Sequence, residues 1–75
     1  MIIVFSPLQR EFIKELFDAQ SYEGVSFEWV KQEGMKLFFR ISPDDESAVK
    51  IAKKVIKASK YGASLNFMVD YESDV

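Results

Sequence analysis

The residue types that carry most protein chemistry at neutral pH are missing from this chain, whose 75 residues include no histidine and no cysteine. Without histidine the commonest general base and metal ligand is gone. Without cysteine there is no thiolate nucleophile, no disulfide and no ordinary structural zinc cluster. What remains is 12 carboxylates against 10 basic groups. The acids gather at Asp44-Asp45-Glu46 and again at Asp70 and Glu72. The first group could draw a divalent ion, but acids opening a helix are accounted for by the macrodipole, which favours anions in the first turn. Asp70 and Glu72 share a strand face by the period of two, with no recognisable ligand spacing. The glycines stand singly at turns and form no phosphate cradle. The chain is therefore read as non-enzymatic, with no metal and no cofactor.

The basic residues are more organised. Lys50, Lys53, Lys54, Lys57 and Lys60 hold half of all the basic groups on one side of a helical stretch. Such a face could meet a phosphate backbone, an anionic surface or an acidic partner. The same lysines also favour helix and solubility without any ligand. A net charge of −2 and a pI near 5.0 weigh against a dedicated nucleic-acid binder, whose footprint is strongly basic. Nucleic-acid binding through this helix is thus the second reading. Residues Met1 to Phe5 are too few for a signal-peptide core, and no apolar run approaches a membrane span. A soluble, cytoplasmic protein with no membrane partner is expected.

Hydrophobic periodicity defines the elements that carry these groups. Ile2-Ile3-Val4-Phe5 is a short strand with no polar alternation. Ser6-Pro7 caps and opens a helix, with Gln9 at capping-box spacing. Its apolar stripe is Leu8, Phe12, Ile13, Leu16 and Phe17, and it runs to near Gln20. Val25 to Lys31 alternates as a strand with Val25, Phe27 and Trp29 inward, and Leu37, Phe39 and Ile41 form the inward set of the next. Pairing Trp29 with Leu37 leaves Gln32-Glu33-Gly34 as a three-residue loop, with Gly34 at the left-handed position. Ser42-Pro43 repeats the helix-opening device. The second helix presents Ala48, Val49, Ile51, Ala52, Val55, Ile56 and Ala58, and ends at Gly62. Leu65, Phe67, Val69 and Tyr71 mark a last strand before a short acidic tail.

One domain spanning residues 1–75 is expected, since neither half could bury a core alone. Its class is α+β. The order strand, helix, strand, strand, helix, strand predicts a ferredoxin-like βαββαβ sandwich, a four-stranded antiparallel sheet of order 4-1-3-2 with both helices on one face. The other face is then bare. Matching Phe5 to Ile41 as the inward residue before each Ser-Pro turns Ile2 and Val4 outward, beside Val30, Phe38 and Met68. Lys36 and Arg40 stand among them, with Glu28, Asp70 and Glu72. An apolar patch with a charged rim is the anatomy of a protein contact, so a homodimer or a protein partner is the first functional expectation.

Gly34 to Ile41, with Phe38 between Lys36 and Arg40, is similar to the central strand of RNA-recognition folds that stack bases on aromatics. It has a single outward aromatic, and its acidic neighbours would repel phosphate. A small-molecule-sensing regulatory domain of the ACT type has similar length and strand order, but carries a glycine after the first strand where this chain has Ser6-Pro7. A sensing role stands third.

Overall fold

The computed structural model describes residues 1–73, so Asp74 and Val75 of the acidic tail lie outside the described residues. In chain order the elements are β1 (Ile2–Phe5), α1 (Arg10–Phe17), β2 (Gln20–Tyr22), β3 (Val25–Glu33), β4 (Lys36–Ser42), α2 (Ser47–Lys57) and β5 (Met68–Tyr71). The strands form one antiparallel sheet of order β2-β3-β4-β1-β5. Buried residues of both helices, Ile13 and Phe17 of α1 and Ala48, Ala52 and Ile56 of α2, join a single core with the sheet.

The protein is α+β, but the four-stranded sheet of order 4-1-3-2 is overturned. A fifth strand, β2, extends the sheet outside β3. Periodicity runs the first helix to near Gln20 and assigns Ser21 and Tyr22 to no element. That helix instead stops at Phe17, because Asp18 is extended and Ala19 has φ 58°, a left-handed conformation that ends a helix. Glu23 and Gly24 follow at φ 50° and 83°, the positive pair that a tight two-residue hairpin turn requires. Tyr22 then settles on Phe17 and Phe27, at ring separations of 5.8 and 6.0 Å, and donates its hydroxyl to the Leu16 carbonyl. Burial of this one ring outweighs the weak strand propensity of Gln20-Ser21.

The β3–β4 register also differs from expectation. Trp29 pairs with Phe39 and Phe27 with Ile41, and a bulge between Trp29 and Lys31 shifts the ladder before Lys31 meets Phe38 and Glu33 meets Lys36. The turn is Gly34-Met35, two residues rather than three, with Gly34 at φ 60°. Val30 is the extra residue of the bulge, which lets one strand satisfy two registers.

Neither Ser-Pro step caps a helix. Ser6 is buried, donates its hydroxyl to the Leu8 carbonyl and its amide to the Met35 carbonyl, and α1 begins only after Gln9 at φ 59°. Ser42 ends β4, its bond to Pro43 is cis, and α2 begins at Ser47 with Asp45 Oδ1 accepting the Ser47 amide at 3.0 Å. These two serines are sheet and loop residues, so the alignment of Phe5 with Ile41 has no structural basis. Gly62 lies where a Cβ would run into the Lys57 carbonyl. The turns that follow it delay the last strand to Met68.

Trp29 packs edge-on to Phe39 at 5.6 Å between ring centroids, with the Lys14 ammonium 4.8 Å from the indole. It is half-buried at the margin of the core rather than enclosed by Leu37 and the helices. Its emission should therefore move to the red when urea unfolds the domain. An emission maximum that stays put across the transition would place the folded indole in water.

Candidate functional site

The sheet face away from the helices is set by the burial of its opposite side. Ile2 and Val4 of β1, Leu37, Phe39 and Ile41 of β4, and Val69 of β5 are buried, so the alternate residues Ile3, Phe5, Lys36, Phe38, Arg40, Met68 and Asp70 occupy the other face. The pairings order them: Met68, Phe5, Lys36 and Glu33 form one row across β5, β1, β4 and β3, and Asp70, Ile3, Phe38 and Lys31 form the next. The middle of this surface is an apolar block of Ile3, Phe5, Phe38 and Met68. Ile3, Phe5, Lys36, Met68 and Asp70 line a shallow depression of about 250 Å³ in it. Met68 is 61 % exposed.

Apolar surface continues past the end of the sheet. Met35 is 44 % exposed and Leu8 68 %, and the Ser6 amide ties the Met35 turn to the loop that carries Leu8. A second depression of about 260 Å³, lined by Phe5, Pro7, Asn66, Phe67 and Met68, adjoins the first through Phe5 and Met68. The surrounding charges are mostly neutralised within the chain. Lys31 pairs with Glu33 at 2.8 Å and lies 4.9 Å from the Phe38 ring, while Arg40 pairs with Glu28 at 3.3 Å. The Lys31 hydrogen bond, then its charge, and more weakly that of Lys36, hold the Glu33 carboxyl below its ordinary pKa. Among the described residues no ion pair joins Lys36 or Asp70 to an opposite charge.

Of the residues expected on this face, Lys36, Phe38, Arg40 and Met68 lie there. Val30 sits half-buried in the bulge. Ile2 and Val4 are corrected: both are fully buried and belong to the core. Sequence reasoning puts their neighbours Ile3 and Phe5 on the wrong side. All four residues of β1 are apolar, so alternation carries no phase and only the pairings with β4 and β5 supply it.

The lysines of the second candidate surface, Lys50, Lys53, Lys54, Lys57 and Lys60, are all exposed on or just after α2. Lys54 pairs with Glu23 at 3.3 Å, and the Lys60 ammonium lies 5.5 Å from the Tyr61 ring. Lys50 and Lys53 face a groove of about 600 Å³ beside β5, with Asp45, Glu46, Val69 and Tyr71 on its other walls. This groove runs along a sheet edge. The Glu72 amide donates to the Met1 carbonyl, which sets the ladder phase: Met68 and Asp70 turn their backbone groups to β1, while Val69 and Tyr71 turn theirs outward.

The acids 44–46 assemble no metal site. Asp44 accepts the Met1 amino group at 2.6 Å and Asp45 is engaged by the α2 amide. Among the described residues no group of three or more acids could hold an ion. Tyr71, at the foot of the same groove, has its hydroxyl pKa raised by desolvation and by the neighbouring Asp44 carboxylate. Among the described residues no helix is long and apolar enough to cross a membrane. Geometry thus defines a small α+β domain with one bare, apolar-centred sheet face. No protein-family model, curated protein or solved structure matches the chain.

Proposed function

We propose that this chain is a non-enzymatic protein-interaction domain that associates with a second copy of itself through the outer sheet face. The observation that supports this most is the contiguity of Ile3, Phe5, Phe38 and Met68 across three neighbouring strands, with both helices committed to the opposite side. Contiguous apolar surface marks contact sites on small proteins, whereas scattered apolar residues do not. Size adds a reason, because a 75-residue chain without a disulfide gains stability when a partner covers more apolar surface. The cysteine-free composition suits a reducing cytoplasm. The test is the mass in solution: light scattering at tens of micromolar protein should give a dimer. A monomer at the highest soluble concentration would remove self-association from this face.

A second reading rests on the five lysines on and just after α2, only one of which has an ion-pair partner among the described residues. If this helix binds nucleic acid, affinity falls steeply as salt rises, and Lys53→Glu with Lys57→Glu abolishes it while the fold persists. Binding that ignores both salt and these substitutions would exclude the helix.

A further inference from the structure

On the outer face six residues form a two-row block, with Met68, Phe5 and Lys36 in one row and Asp70, Ile3 and Phe38 in the other. Lys36 and Asp70 occupy diagonally opposite corners. Ordinary sheet spacing sets their backbone positions roughly 12 Å apart, and the four other places are apolar. The neighbouring charges, Lys31 with Glu33 and Arg40 with Glu28, are already paired at the rim. Within the block itself, Lys36 and Asp70 are the charges that a face-to-face contact must still satisfy.

A symmetric dimer can lay this block on itself about four simple two-fold axes in the plane of contact. An axis along the strands sets Lys36 on Met68 and Asp70 on Phe38. An axis across the strands sets Lys36 on Phe38 and Asp70 on Met68. Both bury charges against apolar groups, which is costly without compensation. The diagonal axis through the two charges stacks Lys36 on Lys36 and Asp70 on Asp70. Only an axis at right angles to the line joining them exchanges them. Resting on the self-association read above, we infer that the dimer uses that axis, so that each Lys36 pairs with Asp70 of the partner subunit and Ile3, Phe5, Phe38 and Met68 close between the two ion pairs. The two sheets then cross steeply, in the near-orthogonal class of sheet packing.

The contact is isologous, so a charge reversal is felt twice in each homodimer. Lys36→Glu alone sets two carboxylate pairs face to face, and Asp70→Lys alone sets two ammonium pairs. Each variant should raise the dimer dissociation constant by roughly a hundredfold, since opposed like charges at an interface are strongly unfavourable. Mixed in equal amounts, the two variants restore attractive pairing in a one-to-one heterodimer, and association should return to within about tenfold of the native value. Compensation within a single chain cannot produce rescue by mixing.

Sedimentation of native protein, each variant and the mixture, with circular dichroism to verify folding, reads every arm. If the carboxylate introduced at position 36, opposite Glu33, unfolds the first variant, Lys36→Glu combined with Glu33→Gln carries the same reversal without that clash. Variants that dimerise alone, or a mixture that stays monomeric while the native protein dimerises, would overturn the assigned axis and leave the self-association reading standing. A native protein with no dimer would overturn both.

Discussion

Phe17→Ala should lower the stability of this domain by about 3–5 kcal/mol, as for other fully buried aromatics truncated to alanine. Small domains have only about 5–15 kcal/mol in total, so most of the population would be lost on modest warming. Phe17 is fully buried at the last turn of α1, and its ring lies 5.0 Å from Phe27, 5.4 Å from Phe39 and 5.8 Å from Tyr22. It therefore holds one helix to three adjacent strands, β2, β3 and β4. The cavity would open beneath an eight-residue helix, too short to remain helical without its packed face. Those three aromatic rings cannot all move into the space, because each is paired in the sheet. Urea unfolding followed by circular dichroism measures the loss as a lower midpoint with an unchanged slope. A cost below about 1.5 kcal/mol would match a volume-conserving swap rather than a cavity, and would mean that α1 does not close over this part of the sheet.

Phe38→Asp should convert the proposed dimer into a folded monomer. Phe38 stands in the apolar block of the outer face, beside Ile3 on β1 and Lys31 on β3. In the dimer an aspartate there would be a desolvated charge facing apolar side chains, a penalty of several kcal/mol per ion that appears twice across a two-fold axis. In the monomer the same carboxylate faces water. The Lys31 ammonium, 4.9 Å from the Phe38 ring, is placed to pair with it. The melting transition of the monomer should thus remain cooperative, while sedimentation shows the mass halved. A dimer that survives the substitution would move the contact to the open edge of β5, where Val69 and Tyr71 present outward backbone groups.

The elements that were legible in the sequence are those in which polar and apolar residues alternate with a clear period. Helix α2 shows its lysines and alanines at helical spacing, and β4 alternates Lys36, Phe38 and Arg40 against Leu37, Phe39 and Ile41. In such segments burial has one consistent answer, and local sequence already contains it. The Gly34 turn was visible as well, although its length was not. A bulge at Val30 changes the register by one residue and leaves no mark in composition.

By itself the sequence determined the α+β class and the aromatic supply of the core. It also showed that no histidine or cysteine chemistry is present and that one helix face is lined with lysine. The tertiary structure decided which way β1 faces, and with it which residues form the candidate contact. Four consecutive apolar side chains can bury either alternate pair. The choice of Ile2 and Val4 comes from hydrogen-bonding to β4 and β5, strands far along the chain that meet β1 only in the folded sheet. The fifth strand was decided in the same way. Gln20-Ser21 has little strand propensity of its own, and the segment pairs because Tyr22 finds Phe17 and Phe27 only when the chain doubles back at Glu23-Gly24. Local periodicity can choose an element's type, but its facing and its neighbours are set by contacts that exist only once the chain has closed on itself.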